Sequence, residues 1–202
     1  MNRYLRIIVM ASGLGRRFGE NKLLQSVGGV PMYQHVLRLV LSFIRKYPDR
    51  GEIVVVSAYE EILHEAERWG CRGVKNPHAE RGISESIKLG IRTRRDHGEK
   101  PETAVFLTAD QPWMEYETLE RFLLLAGEME EGFLCARSGD ILGNPVSFHE
   151  KYYDELMLLQ GDQGGKAVMK RHLEEVRYFE VPLRELKDVD FREDLAGEEE
   201  DA

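Results

Sequence analysis

The chain has 202 residues, of which 42% are hydrophobic and 32% charged, and a formal net charge of −8. That is enough chain for one domain with a real core, and it is not the composition of a disordered segment. The acidic balance argues against duplex nucleic acid and anionic membranes as partners, so any basic loop is a local device.

No apolar run approaches the roughly 18–20 residues that span a bilayer. The charged start, Met1 to Arg6, is too short for a secretory leader, so the cytoplasm is the expected compartment. Cys71 and Cys135 lack a C-x-x-C pairing and are expected as buried free thiols.

Taken in chain order, apolar periodicity switches repeatedly between strand and helix. Tyr4 to Met10 reads as a buried strand, followed by a small-residue loop from Ala11 to Lys22. Pro31 opens a helix to about Lys46, since proline suits a first helical turn. Glu52 to Ser57 is a second buried strand, Glu60 to Trp69 a helix closed by Gly70, and Cys71 to Lys75 a short extended segment before Asn76-Pro77. Ser84 to Arg94 is helical, with Ile83, Ile87 and Ile91 stacked four apart. Thr103 to Thr108 is a third buried strand ending at Asp110-Gln111-Pro112, and Tyr116 to Met129 a helix.

Phe133 to Arg137 and Ile141 to Phe148 are expected to pair across Ser138-Gly139-Asp140. Helices over 150–159 and 165–173 and a late strand over 176–181 complete residues 1–195 as a single domain. The acidic residues 196–202 read as an unstructured tail. Strands alternating with helices predict an α/β fold, a mostly parallel sheet with helices on both faces. Ligands of such sheets bind beyond the carboxyl ends of strands. Three of those ends carry polar groups, at 11–15, at Ser57-Ala58 and at Asp110-Gln111, and are expected to converge.

The first loop is the strongest chemical signal. Gly13-Leu14-Gly15 fails the dinucleotide fingerprint, because position 18 is Phe18 and Ser57 stands where an acidic residue should close the second strand. It fails the P-loop pattern too, because Gly19 precedes Glu20 and not a lysine. What remains is a turn of backbone amides with Arg16, Arg17 and Lys22, which suits a triphosphate; the other reading is a solvated basic loop.

The passage Met10-Ala11-Ser12-Gly13-Leu14-Gly15-Arg16-Arg17-Phe18-Gly19-Glu20-Asn21-Lys22 resembles the signature loop of the molybdenum cofactor nucleotidyltransferases. Arg17 and Lys22 fall on that loop's arginine and lysine, while Ser12 departs from both the alanine of the cytidylyl branch and the glycine of the guanylyl branch. Further matches follow in order: Leu24 to Pro31, Asn76 to Gly90, Leu107 to Pro112, Gly143 to Phe148, Leu158 to Val168, and Val189 to Leu195. The D-Q-P and G-D-x-G pieces favour the cytidylyl branch.

The resemblance implies a Rossmann-like nucleotidyltransferase fold of the glycosyltransferase-A type. It also implies transfer of CMP from CTP to the terminal phosphate of molybdopterin, with release of pyrophosphate and with Mg²⁺ as cofactor. A molybdoenzyme would then receive the product. Lys22, Arg17 and Asp110 are the implied catalytic residues, with Asp110 also the metal ligand. Met10, Ala11, Ser12, Gly13, Leu14, Gly15 and Lys22 would hold the nucleotide, and Gly161, Asp162 and Gly164 the acceptor.

Some of these positions have a second reading. Ser57 and Asn76 sit at strand ends where a base or ribose can be read, but Asn76 can also shape the turn before Pro77. Ser84 binds nucleotide or caps a helix. Asp110 holds metal or starts a turn. Asp162 and Asp190 are alternative second metal ligands, and Asp162 can instead cap the helix that follows. Two rival functions stand beside the first: a related transferase using GTP or another phosphorylated acceptor, and a carrier that binds nucleotide or cofactor without chemistry.

Overall fold

The structure, a computed structural model, describes residues 3–13, 21–93, 102–191 and 193–196. It opens with β1 (Tyr4–Ala11), a small antiparallel hairpin β2 (Ser26–Val27) and β3 (Val30–Pro31), then α1 (Met32–Lys46), β4 (Gly51–Ser57), α2 (Glu60–Arg68) and β5 (Arg72–Lys75). Next come α3 (Ile83–Arg92), β6 (Glu102–Thr108), α4 (Tyr116–Glu128), β7 (Phe133–Ser138) and β8 (Ile141–His149). Two single-turn helices, α5 (Tyr153–Met157) and α6 (Lys166–Met169), precede β9 (Val176–Glu180) and the short α7 (Glu193–Ala196). The acidic residues 197–202 lie outside the described residues.

Seven strands form one sheet in the order β5-β4-β1-β6-β8-β7-β9. β1 pairs in parallel with β4 and β6, and β7 with β9, while β8 runs antiparallel between β6 and β7. The sheet is therefore mostly parallel, as expected, with β7 and β8 paired across 138–140. Alternation along β1 assigns each face: Leu5, Ile7, Val9 and Ala11 join α1, α2 and α4 in one core, and Ile8 and Met10 join α3, α5 and α6 in the other. The α1 and α2 crossovers lead away from β1 on one face, and the α3 crossover brings the chain back to β1's other side at β6. Strand order thus reverses between β1 and β6, and an open α/β sheet presents a crevice at that point.

The helix expected over 150–159 is present over 150–157, as a 3₁₀ turn, Glu150–Tyr152, that runs into α5, whereas the one expected over 165–173 is reduced to a single turn. Tyr153, Leu156, Val168 and Met169 bury in the second core, and a turn with Gly161 at φ +56° separates them. The hairpin at 26–31 was not foreseen from periodicity. Its turn is Gly28-Gly29, both at positive φ, the conformation that a tight two-residue hairpin needs.

At the amino end of the sheet Arg6 is fully buried. Its guanidinium donates to Glu102 at 2.7 Å and to the carbonyl of Ile91 at 2.9 Å, with Glu52 at 3.6 Å.

Candidate active site

The cleft lies beyond the carboxyl ends of β1 and β6, at the reversal of strand order. It has a volume of about 410 Å³ and is lined by Met10, Ser12 and Gly13 from β1's end and by Thr108 and Asp110 from β6's end. The approach to α3 and the Asp162 turn supply the far wall. Two of the three expected strand ends therefore line it, and the third, at Ser57, supports it from behind.

Lys22 sits on a short 3₁₀ turn, Lys22–Leu24, capped by the Asn21 side chain, which accepts from the amide of Leu23. The turn buries Lys22 to 8% exposure and aims its ammonium at Asp110 Oδ2 (2.8 Å), Asp190 Oδ1 (3.2 Å) and the carbonyl of Val189 (2.9 Å). Burial alone would lower the lysine pKa; the charges and hydrogen bonds of Asp110 and Asp190 outweigh it and hold the pKa above the ordinary value. Lys22 is thus a fixed cation.

Asp188 is the residue that sequence reasoning missed. It is exposed as a residue, yet its carboxyl is crowded by surrounding protein and by the charges of Asp110 and Asp190, which push it up to about 6. The signal was present, since Asp188-Val189-Asp190 places two carboxylates two residues apart in an extended segment.

Three carboxylates around one ammonium leave negative charge uncompensated. Asp110 Oδ1 is buried and has no hydrogen-bond partner among the described residues, and the same holds for Thr108 Oγ1 and Ser84 Oγ. An orphaned carboxylate oxygen in a phosphate-sized cleft is the donor that a hard divalent cation takes. The residues present fit such an ion.

The other expected site residues divide by geometry. Met10, Ser12 and Gly13 line the cleft, with Ser12 Oγ donating to the carbonyl of Val56. The Ala11 carbonyl is taken by Ser57 Oγ, which also accepts from the amide of Tyr59. Asn76 accepts from the amide of His78 and donates to Ser86 Oγ, so it shapes the turn before Pro77. Ser57 and Asn76 are buried and spend these groups on the loops that frame the cleft. Leu14, Gly15, Arg16 and Arg17 lie outside the described residues.

Gly82 precedes α3 at φ +96°, a conformation reserved for glycine, and a Cβ there would lie 2.4 Å from the backbone of Gly161. This approach docks the Gly161-Asp162 turn on the amino end of α3, with the amide of Ser84 donating to the Gly161 carbonyl. Ser84 therefore does not cap α3, and Asp162 does not cap α6, whose cap position is Gly165. Asp162 lines the cleft and, with Gly164, an adjoining and more apolar cavity of about 250 Å³. Trp113 packs on the first core below Arg184.

The model of the MobA-like NTP transferase domain matches residues 7–176. The chain belongs to that family. Purine catabolism protein PucB of Bacillus subtilis (strain 168) is 24% identical over 173 residues, spanning 83% of this chain and 81% of that protein. Among solved structures, a nucleotidyl transferase from Methanothermobacter thermautotroptrophicus (Mth528) superposes with a TM-score of 0.76 at 20% identity, covering 98% of this chain and 96% of that one. Rv0371c from Mycobacterium tuberculosis H37Rv, solved in complex with manganese, superposes with a TM-score of 0.73 at 19% identity, covering 96% and 97%. As a member of the MobA-like NTP transferases the chain is a nucleotidyltransferase, and its sheet is the fold of that group.

Proposed function

We propose that this transferase moves CMP from CTP to the terminal phosphate of molybdopterin and releases pyrophosphate. The observation that carries the reading is the pairing of Lys22 with Asp110, whose second oxygen is buried at the strand reversal and has no partner among the described residues. Asp110 and Asp190 would hold a divalent cation, Mg²⁺ in this reading. When bound, that ion supplies neutralisation of phosphate charge.

The backbone turn at Ser12-Gly13, with Arg17 beyond it, receives the triphosphate. Lys22 is held in place before the reaction, so its charge stabilises the developing negative charge on the phosphates with little reorganisation. An oxygen of the acceptor phosphate attacks the α-phosphorus in line. The bond from that phosphorus to the bridging oxygen breaks, and pyrophosphate leaves with the electron pair. A phosphate monoester is already anionic at neutral pH, so no protein base is needed. Asp162 and the glycines beside it, between the two cavities, fit the role of acceptor side. The motif matches at 107–112 and 158–168 support the cytidylyl branch.

The test is pyrophosphate release from each triphosphate with purified molybdopterin, alongside thermal shift. CTP with Mg²⁺ should raise the melting temperature more than GTP with Mg²⁺, and only molybdopterin should elicit pyrophosphate. Equal or reversed stabilisation sinks the base assignment, and release with another phosphate monoester alone sinks the acceptor. In Asp110→Asn the metal-dependent part of the shift should vanish; a shift of unchanged size removes Asp110 as the anchor.

A further inference from the structure

We infer that Glu185 is a positioning residue that sets the register of the carboxyl-terminal strap across the active site, an inference that rests on the reading of Asp110 as a metal anchor. After β9 the chain crosses back over the loop that follows β6. Glu185 is buried to 3% exposure, an unusual place for a carboxylate. Its two oxygens accept from the amide of Glu115 (3.1 Å) and from Thr118 Oγ1 (3.0 Å). These are the cap and first turn of α4, and Glu115's own side chain makes no capping bond. A helix that would ordinarily be capped by a neighbour is capped from 70 residues away.

Two more bonds continue the same zipper. Gln111 Nε2 donates to the carbonyl of Leu186 (2.9 Å), and the amide of Val189 donates to the carbonyl of Asp110 (2.9 Å). The strap therefore runs antiparallel to 110–118. Its far end delivers the Val189 carbonyl and Asp190 to Lys22. Glu185 is the charged end of this zipper: it fixes where the strap starts, and the intervening residues fix where Asp188 and Asp190 arrive. Glu185 touches neither Lys22 nor Asp110 in any bond described, so it acts through the strap.

The experiment compares the wild-type chain with Glu185→Ala, Glu185→Gln and Thr118→Val. Mn²⁺ affinity is read by electron paramagnetic resonance without turnover, and hydrogen exchange is read at the Val189 and Asp190 amides. Ile62→Val, on the buried face of α2, serves as a stability control. Glu185→Ala should weaken Mn²⁺ binding about 10- to 100-fold, the usual effect of losing a group that orients a ligand. It should also raise exchange at Val189. Glu185→Gln keeps an acceptor for the Glu115 amide and should recover most of both losses; Thr118→Val should fall between.

The inference is overturned if Glu185→Ala lowers the melting temperature as Ile62→Val does while Mn²⁺ affinity and Val189 exchange stay at wild-type values. It is also overturned if exchange rises but Mn²⁺ affinity does not change, because the strap is then structural only. If the wild-type chain binds no Mn²⁺, the metal reading fails, and the exchange data still decide whether Glu185 holds the strap.

Discussion

Lys22 and Gly82 show how single residues carry the site. Lys22 is held by two carboxylates and a carbonyl, so truncating it removes a preorganised charge and leaves Asp110 and Asp190 facing each other. Lys22→Met should lower turnover at saturating CTP by about 10²–10³-fold, the scale of losing one preorganised charge-stabilising donor. Its melting temperature should rise more on adding Mn²⁺ than that of the wild type, because the cation relieves the unpaired carboxylates. Turnover within a few-fold of wild type would assign Lys22 to structure alone. Gly82 fails by a different route. Gly82→Ala must bear both a positive φ and a contact with the Gly161 backbone, for an expected cost of about 1–3 kcal/mol from strain alone. Chemical denaturation measures that cost, and a change under about 0.5 kcal/mol would show that the turn moves aside freely.

Among the elements, those that build the sheet were legible and those that finish the site were not. β1, β4 and β6 read clearly because each is a run of β-branched and aliphatic residues buried on both faces. α1, α2, α3 and α4 came within one or two residues of their sequence reading, since their apolar stripes are long enough to set a period. The helix at 150–159 was legible to within two residues, whereas that at 165–173 was read too long, because a buried apolar cluster of four or five residues looks alike in one turn and in three. Lys22 and Asp110 were legible as candidates for one site, and the structure brings them together at 2.8 Å. Asp188 was legible only as a second carboxylate beside Asp190, and Glu185 not at all, because its bonds to Glu115 and Thr118 reach 70 and 67 positions back along the chain. Asn76 and Ser57 were noticed as polar strand ends, but hydrogen bonding decides what a polar strand end does, and that is a property of neighbours far away in sequence.

At the scale of the whole molecule, two features set the response to pH and to mutation. Cys71 and Cys135 are buried free thiols, and burial pushes each up to about 11 from an ordinary value of 9.0. The folded chain thus holds these protons more tightly than the unfolded one, and stability should fall as pH rises from about 9 toward 11. At pH 8 a disulfide reagent should label neither thiol until denaturant is added; rapid labelling of the folded chain would contradict the burial. The second feature is Arg6, sealed beneath the sheet against Glu102 and Glu52. Arg6→Leu strands buried carboxylates and should cost about 3–5 kcal/mol in urea unfolding, whereas Glu102→Gln, which keeps hydrogen-bonding capacity, should cost less. Among the described residues no helix is long and apolar enough to cross a membrane.

The bond between Lys22 and Asp190 spans 168 positions. A contact with so large a sequence separation closes late, since a long loop must be ordered before the contact forms. The cluster joins a residue near the start of the chain to one near its end, and it is incomplete until the last strap has docked. A chain truncated before residue 188 would carry β1 to β9 and yet would lack the carboxylate that completes the cluster. The charge cluster around Lys22 is therefore a report on the finished fold, and a chain cut short of the strap should lack it.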